Sequence, residues 1–318
     1  MPSSRRWDSR VAKVTVVGAG FVGSTTALRV LQRGLADVCL IDVVEGLPQG
    51  LALDLNQSAP IERFEVACTG TNDYKDTAGS HLAIITAGFP RGPGMSRMDL
   101  LAKNAAVVTD VTKKLAEHSP GAVIIVVTNP LDEMTYLASE VSGFPRSRVM
   151  GMAGILDSAR LAAFIAAELR VSPLSVEAMT LGSHGEQMVP LARQATVDGK
   201  PLAELVNPET LDRLYKRTQN AGAEIVGLLK KGSAYYAPSS AAAKMANAIL
   251  GDTKEVMPVS AWTSGEYGVS DTYLGVPARL GRRGVEEIVT LDLDPAELDQ
   301  LRAAAAAIKA RCDDLGAL

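Results

Sequence analysis

One histidine of this sequence lies where its side chain could exchange a proton with a bound molecule. His184 stands between two glycines directly after a predicted strand, so it can project from a turn into a cleft. Imidazole ionises near neutral pH, which suits a general acid and base. The other two histidines, His81 and His118, precede a strand and end a helix, where contact with the helix dipole can explain the second. A histidine in such a turn is more often structural, so its position alone leaves both interpretations open.

Asp157 and Arg160 bring opposite charges to one face of a predicted helix. They stand three residues apart within residues 155–170, and this spacing places both side chains on the same side of the helix. The pair could belong to a functional site. It is also the spacing of a surface ion pair worth roughly a few tenths of a kcal/mol, which is the more frequent case.

A loop with three glycines and two prolines carries two further cations. Residues 88–95 follow an apolar strand and contain too much glycine and proline for a helix or a central strand. The loop therefore lies at the carboxyl end of a strand, where open α/β sheets bind ligands. Arg91 and Arg97 stand in it or beside it, either as anion-binding groups or as solvated side chains.

A glycine turn between two predicted strands indicates a dinucleotide site. It follows a β-branched strand, opens a helix, and consists of Gly18, Ala19, Gly20, Phe21, Val22 and Gly23. The first glycine allows a tight turn, the second lets the backbone approach a pyrophosphate, and the third lets the helix pack on the strand. Asp42 ends the next strand, where a ribose-binding carboxylate is expected, and its charge would repel the extra phosphate of NADP. The stretch predicts NAD as cofactor; a glycine turn followed by a chance acid is the alternative.

The composition excludes several classes of protein. The 318 residues, 47% of them hydrophobic, can build two domains with sizeable cores, and the net charge of −4 offers no basic field for nucleic acid. Cys39, Cys68 and Cys312 show no Cys-x-x-Cys spacing, so we expect reduced thiols and no metal site. No apolar run reaches the length of a membrane span. We expect a cytoplasmic protein with no membrane partner.

The first half of the chain alternates strands and helices. Strands are predicted at residues 14–17, 38–41, 64–68, 82–87, 123–127 and 149–152. The helices between them include a short one with Leu51, Leu53 and Leu55 that stops before Pro60, and a long one at residues 96–117. This alternation predicts an α/β fold with a doubly wound, Rossmann-type parallel sheet.

The second half has a different pattern. Helices are predicted at residues 155–170, 208–229, 239–250 and from Pro295 onward. Strands are predicted at residues 176–181, 194–197, 256–263, 272–280 and 285–291, with the third and fourth as an antiparallel pair. We therefore expect an NAD-binding domain over residues 1–150, whose first ten residues form a frayed extension, and a C-terminal α+β domain over residues 151–318.

These motifs occur in the order found in one family. Besides the glycine turn with Asp42 they are AGFPRGPGMSR at residues 87–97, TNPLD at 128–132, LDSAR at 156–160 and LGSHG at 181–185. From Val11 to the last helix the sequence resembles the malate and lactate dehydrogenases, specifically the malate dehydrogenases of the lactate-dehydrogenase-like group. Met98 and Ser183 depart from the commonest pattern, which often has an acid and a glycine there, but neither removes a functional group.

The resemblance implies a role for each candidate residue. His184 would be the acid/base, Asp157 its orienting carboxylate, Arg160 the clamp on the substrate C1 carboxylate, and Arg97 the group that polarises the reacting carbonyl. The remaining implied contacts are Arg91 with a second substrate carboxylate, Asn129 with substrate and nicotinamide, and Asn104 and Val127 with NAD. The second domain would then be the substrate-binding and catalytic one.

The resemblance also implies the reaction and the setting. We expect an oxidoreductase that reversibly oxidises (S)-malate to oxaloacetate with NAD, a place in the tricarboxylic acid cycle, and a homo-oligomer, a tetramer rather than a dimer. One alternative is a lactate dehydrogenase, which would need a residue such as glutamine at Arg91, and another is a different 2-hydroxy-acid dehydrogenase. A non-catalytic NAD-binding sensor should have lost part of the His/Asp/Arg set, and an NAD-dependent glycosidase would need metal-binding Cys and His residues.

Overall fold

The computed structural model describes residues 12–90, 97–185 and 187–315, without the side chains of Arg97 and Asp314. The expected frayed extension and the candidate Arg91 lie outside the described residues.

Six parallel strands form the first half of one sheet. They are β1 (Lys13–Val17), β2 (Asp37–Ile41), β3 (Cys68–Thr71), β4 (Leu82–Ile85), β5 (Val123–Val126) and β6 (Val149–Gly151). Their spatial order is β3-β2-β1-β4-β5-β6, so the direction of winding reverses between β1 and β4. Sheets of this kind bind ligands at that reversal, beyond the carboxyl ends of the strands. The predicted doubly wound sheet is confirmed.

Helices cover both faces of these strands. They are α1 (Phe21–Gln32), α2 (Leu47–Glu62), α3 (Arg97–His118) and α4 (Leu131–Ser142). Val14 and Val16 of β1 point into a core with α1, whereas Val17 belongs to the core beneath α3 and α4. This alternation explains why the strands are apolar on both sides.

The second half contributes helices and antiparallel strands. The helices are α5 (Gly154–Leu169), α6 (Leu202–Leu205), α7 (Pro208–Leu229), α8 (Tyr236–Leu250) and α9 (Pro295–Leu315). The strands are β7 (Val176–Glu177), β8 (Thr180–Gly182), β9 (Met188–Pro190), β10 (Thr196–Val197), β11 (Lys200–Pro201), β12 (Val256–Ser264), β13 (Ser270–Gly281) and β14 (Gly284–Ile288). The predicted antiparallel pair is β12 and β13.

The two halves share one sheet. β12 pairs with β6 at Ser260 and Gly151, and the sheet continues through β13 to β8 and β9, with β14 on the side of β13. β7, β10 and β11 form a separate small sheet. The joining of the halves was not predicted, because strand pairing between distant segments leaves no mark on either segment.

Three predicted elements differ most from those observed. α2 does not stop before Pro60 but runs through it to Glu62, because a proline near a helix C-terminus removes only one hydrogen bond from the last turns. The third strand is not at residues 64–68 but begins at Cys68, which pairs with Val38 and is held by the Asn56 side chain. The strand expected at residues 176–181 is two strands, because the chain passes there from the small sheet to the large one.

Cys39, Cys68 and Cys312 are buried free thiols. Over residues 12–90, 97–185 and 187–315, no helix is long and apolar enough to cross a membrane. In the same part of the chain, no group of three or more His, Cys, Asp or Glu side chains is arranged to hold a metal ion.

Candidate active site

His184 lies in the turn of the hairpin formed by β8 and β9. Gly182 pairs with Met188 below the turn, and Gly182 also pairs with Gly275 of β13. The hairpin therefore belongs to the large sheet, which gives the turn a rigid base. The position agrees with the predicted turn after a strand.

The hairpin brings His184 to the helix that carries Asp157. The imidazole Nδ1 lies 2.8 Å from Asp157 Oδ2, and the carboxylate is only 2% exposed. Asp157 stands in the first turn of α5, where the helix dipole favours a negative charge. With Nδ1 held by this carboxylate, Nε2 is the ring nitrogen left for a substrate. A carboxylate in this place selects the tautomer and stabilises the imidazolium.

The charges around His184 decide its ionisation. Burial acts to lower the pKa of His184, since it penalises the charged ring, and Arg160 acts in the same direction. The Asp157 carboxylate, by its charge and its hydrogen bond, and Asp132 act to raise it. The acids prevail, and the pKa of His184 is raised above its ordinary value. An imidazole can both accept and donate a proton, which suits a general acid and base.

Arg160 shares the same carboxylate but keeps hydrogen-bond donors free. Its Nη1 donates to Asp157 Oδ1 at 3.3 Å, so the pair is a buried contact and not a surface ion pair. Its Nε is buried and has no hydrogen-bond partner among the described residues. A buried guanidinium with an unused edge is suited to a carboxylate, which accepts two parallel hydrogen bonds.

Four residues near His184 were not identified as functional from the sequence. Asp132 accepts the His184 backbone N–H at 3.2 Å and the Ser260 hydroxyl at 2.7 Å, and Glu133 accepts a hydrogen bond from Arg311 of α9. Asp132 belongs to the TNPLD motif, which was a usable signal. Ser260 and Arg311 have no such local signal, because only the tertiary fold brings them to α4.

A cavity of about 440 Å³ adjoins the histidine. His184, Asn129 and Asp132 line it together with Ser183, Met98 and Arg311. Asp157 and Arg160 do not line it, so the cavity covers one side of the candidate site only.

The glycine turn has the geometry that a dinucleotide requires. Gly18 has φ +98° and a Cβ there would lie 2.8 Å from Ala87 N, while a Cβ at Gly23 would lie 1.7 Å from Gly18 O. A Cβ at Gly20 would meet nothing within 4 Å, so this glycine faces open space at the start of α1. The first turn of α1 contains no acid, and no side chain caps it. Its N–H groups are available to phosphate oxygens, and the residues present fit NAD.

Asp42 is fixed beside that turn. Its Oδ2 accepts the Ala19 N–H at 2.6 Å, and its Oδ1 accepts the Val44 N–H at 2.9 Å. Each carboxylate oxygen retains a lone pair for a ribose hydroxyl. The predicted end of the second strand is therefore next to the predicted phosphate turn.

Asn104 is placed differently from a side chain that reaches into a cofactor site. It is buried, its Nδ2 donates to Phe89 O at 3.2 Å and to Asn129 O at 2.6 Å, and its Oδ1 accepts the Phe89 N–H at 2.8 Å. It thus joins the ends of β4 and β5. Asn129 is exposed and lines the cavity, and Val127 lies half-buried at the end of β5.

The two loop cations are not positioned by the structure. Arg91 lies outside the described residues, and Arg97 begins α3 with its side chain outside them. The structure therefore brings together His184, Asp157 and Arg160, and separately the glycine turn and Asp42.

Known proteins resemble this chain over almost its entire length. The family model for the lactate/malate dehydrogenase NAD binding domain matches residues 12–151, and the model for the alpha/beta C-terminal domain matches residues 155–317. The malate dehydrogenase of Trichormus variabilis is 52% identical over 300 residues, 94% of this chain and 93% of that protein.

Solved structures agree with these matches. The malate dehydrogenase of Salinibacter ruber superposes with a TM-score of 0.93 at 49% identity, over 96% of this chain and 98% of that one. The lactate dehydrogenase of Cryptosporidium parvum, solved with lactic acid and nicotinamide adenine dinucleotide, has a TM-score of 0.93 at 40% identity, over the same shares. The chain therefore belongs to the lactate/malate dehydrogenase family, with its NAD-binding domain followed by its alpha/beta C-terminal domain.

Proposed function

We propose that this chain is an NAD-dependent malate dehydrogenase, which reversibly oxidises (S)-malate to oxaloacetate. The observation that carries the proposal is the buried Asp157 carboxylate, which binds His184 on one oxygen and Arg160 on the other. One acid thus orients a proton-transfer group and a carboxylate-binding group toward the same substrate. The names of the relatives support malate as that substrate.

His184 moves the proton. The glycine turn and Asp42 would hold NAD, which would supply the hydride acceptor for C2 of malate during oxidation and, as NADH, the hydride donor during reduction. His184 Nε2 takes the hydroxyl proton during oxidation and gives it back to the carbonyl oxygen during reduction. Asp157 stabilises the imidazolium that forms in between, and its contact with Nδ1 keeps Nε2 directed at the substrate.

The arginines hold and polarise the substrate. Arg160 binds the C1 carboxylate with the donors that Asp157 leaves free. Arg97 polarises the reacting carbonyl, and the exposed Asn129 side chain contacts substrate and nicotinamide. These assignments follow the family resemblance of their motifs.

The cofactor site consists of the glycine turn, Asp42 and the ends of two strands. The turn residues Gly18, Ala19, Gly20, Phe21, Val22 and Gly23 hold the pyrophosphate, and Asp42 binds the ribose. Val127, Asn129 and Asn104 complete the site. Because the amide of Asn104 is occupied by Phe89 and Asn129, it supports NAD by holding those two residues. The division is a dinucleotide-binding domain over residues 1–150 and a substrate-binding and catalytic domain over residues 151–318.

Arg91 selects the substrate. Oxaloacetate carries a second carboxylate where pyruvate has a methyl group, and a closed site must pair that charge. An arginine enclosed opposite a methyl group would itself be unpaired, so the discrimination works in both directions. A site built for a polar partner rejects the analogue that lacks it by ~10⁴ or more.

The test compares kcat/KM for oxaloacetate, pyruvate and 2-oxoglutarate with NADH. Oxaloacetate should be strongly preferred, and Arg91→Gln should lower its turnover and raise that of pyruvate. Lys113→Gln, which removes an exposed cation of α3, is the matched control. It should leave the ratio of kcat/KM for oxaloacetate to kcat/KM for pyruvate unchanged. An unchanged ratio in Arg91→Gln would remove Arg91 from the site, and a wild-type preference for pyruvate would favour a lactate dehydrogenase.

The proposed setting is a cytoplasmic homo-oligomer, a tetramer rather than a dimer, acting in the tricarboxylic acid cycle. Leu53 and Ile61 of α2 are 61% and 81% exposed, while Leu51 and Leu55 pack against the core. Large apolar side chains exposed on one helix favour a contact with another subunit. The buried free thiols support a reducing compartment.

Light scattering at micromolar concentration tests the assembly. The mass should be four times the 33.4 kDa of the chain. A monomeric mass would refute the oligomer, and a dimeric mass would refute the tetramer.

A further inference from the structure

Asp132 is a buried carboxylate that the proposed mechanism does not use. It lies in the first turn of α4 and is 1% exposed. Both of its oxygens accept hydrogen bonds, Oδ2 from the His184 backbone N–H and Oδ1 from the Ser260 hydroxyl. A buried charge is costly unless such partners compensate it. Its contact with the hairpin of β8 and β9, which carries His184, places this negative charge next to the histidine.

The contact joins the two halves of the chain at the histidine. α4 belongs to the first half, whereas the hairpin and β12 belong to the second. Ser260 is also the residue that pairs with Gly151, where β12 meets β6. Asp132 thus connects the histidine turn to the junction of the sheet.

We propose that Asp132 is a second positioning carboxylate for His184, which holds its backbone N–H and adds a second negative charge to the one supplied by Asp157. This inference rests on the proposed role of His184. Asp132 acts through the histidine, so it is a positioning residue and touches no reacting atom. By donating a hydrogen bond to Asp132 Oδ1, the Ser260 hydroxyl keeps the Asp132 carboxylate directed at the hairpin of β8 and β9.

The surrounding charges define what Asp132 contributes. α5 presents Asp157 and Arg160 to His184, and α4 presents Asp132. Burial and the neighbouring Glu133 raise the pKa of Asp132 to about 6, against the opposing effect of Ser260 and His184. At neutral pH the carboxylate is therefore largely ionised.

The elements packed against Asp132 supply the remaining groups. From α9, Arg311 pairs with Glu133, and burial raises the pKa of the Cys312 thiol to about 12, so this thiol is neutral. Since Asp132 acts to raise the pKa of His184, its removal should lower that pKa.

Two variants separate the charge from the hydrogen bonds. In Asp132→Asn the amide oxygen can still accept the His184 N–H, and the amide nitrogen can donate to the Ser260 hydroxyl, which also accepts. The fold can thus be retained while the charge is lost. In Ser260→Ala the carboxylate stays but loses the bond that holds its pKa down, so more of it is neutral near pH 7.

Glu297→Gln is the matched control. Glu297 is also a buried carboxylate that accepts a backbone N–H, from Ala192 at 3.1 Å, and it does not line the cavity. Replacing Glu297 tests whether the loss of any buried carboxylate changes the pKa of His184.

The measurement is an NMR titration of the three histidines after ring labelling, with His81 and His118 as internal references. In Asp132→Asn the pKa of His184 should fall by roughly 0.5 unit or more, about a threefold change in the protonation constant. Ser260→Ala should give a smaller fall and Glu297→Gln none. The pH above which oxaloacetate reduction declines should move down by the same amount, with KM for oxaloacetate nearly unchanged.

An unchanged His184 titration in folded Asp132→Asn would overturn the proposal, and so would an equal shift in Glu297→Gln. If Asp132→Asn does not fold, Ser260→Ala decides, and an unchanged pKa and kcat in that variant would overturn it. The titration needs no substrate. Absence of malate turnover in the wild-type protein would therefore refute the proposed function without altering the test of Asp132.

Discussion

Asp157→Asn tests the central arrangement most directly, because it changes one oxygen of a buried carboxylate to an amide nitrogen. Both carboxylate oxygens accept hydrogen bonds, from His184 and from Arg160. Arginine can only donate, so the amide oxygen should turn to Arg160 and the amide nitrogen to the histidine. Nδ1 must then accept, and the proton moves to Nε2. In this tautomer Nε2 cannot take a proton from malate.

The size of the effect has two parts. The first part is the preference for the tautomer that carries the proton on Nε2. The opposite amide orientation, which would keep the productive tautomer, would lose the hydrogen bond to Arg160. That bond is worth about 1.5–3 kcal/mol, so the wrong tautomer is favoured roughly 10- to 150-fold. The lost charge removes the main group that raises the pKa of His184, and a neighbouring charge typically shifts a pKa by about 1–3 units. Together they predict a loss of about 10²- to 10⁵-fold in malate oxidation, with some activity remaining.

The assay is kcat/KM for malate with NAD as a function of pH, together with NADH binding and the melting temperature. Oxidation requires the neutral histidine, so activity rises as pH passes the pKa of His184. Since Asp157→Asn lowers that pKa, the rise should move to lower pH while its plateau falls. NADH binding should be nearly unchanged. A folded variant that keeps more than about a tenth of the wild-type kcat/KM would refute the tautomer argument.

Three further predictions concern the histidine and the cofactor site. His184→Asn should lower kcat by more than about 100-fold in stopped-flow turnover while NADH fluorescence titration shows almost normal binding; a smaller loss would mean that another group moves the proton. The wild-type protein should prefer NADH to NADPH by at least ~10-fold in kcat/KM because Asp42 repels the extra phosphate, and comparable values would contradict this role. Gly23→Ala should lower the free energy of unfolding by about 1–3 kcal/mol, since its Cβ would overlap Gly18 O. Gly20→Ala should fold normally but bind NADH more weakly, and the opposite pattern in denaturation and binding would refute the assigned geometry.

Local signals in the sequence were sufficient for most elements and for part of the site. α7 runs over the predicted residues because Asn207 caps it, Pro208 begins it, and its apolar spacing is helical. The glycine turn and Asp42 are marked by backbone requirements that only a few residue types meet. Asp157 and Arg160 share a helix face through their spacing alone, so the sequence already indicated that they lie together.

The tertiary structure decided the contacts between distant segments. His184 meets Asp157 only because the hairpin packs on α5, and the same packing shows that Asp157 and Arg160 form a buried pair. Asp132 reaches the His184 backbone from 52 residues away and Ser260 from 128. Pairing and side-chain contact across such separations depend on how whole elements pack. The sequence therefore determined the elements and the kinds of chemistry, while the fold decided which groups stand together around the histidine.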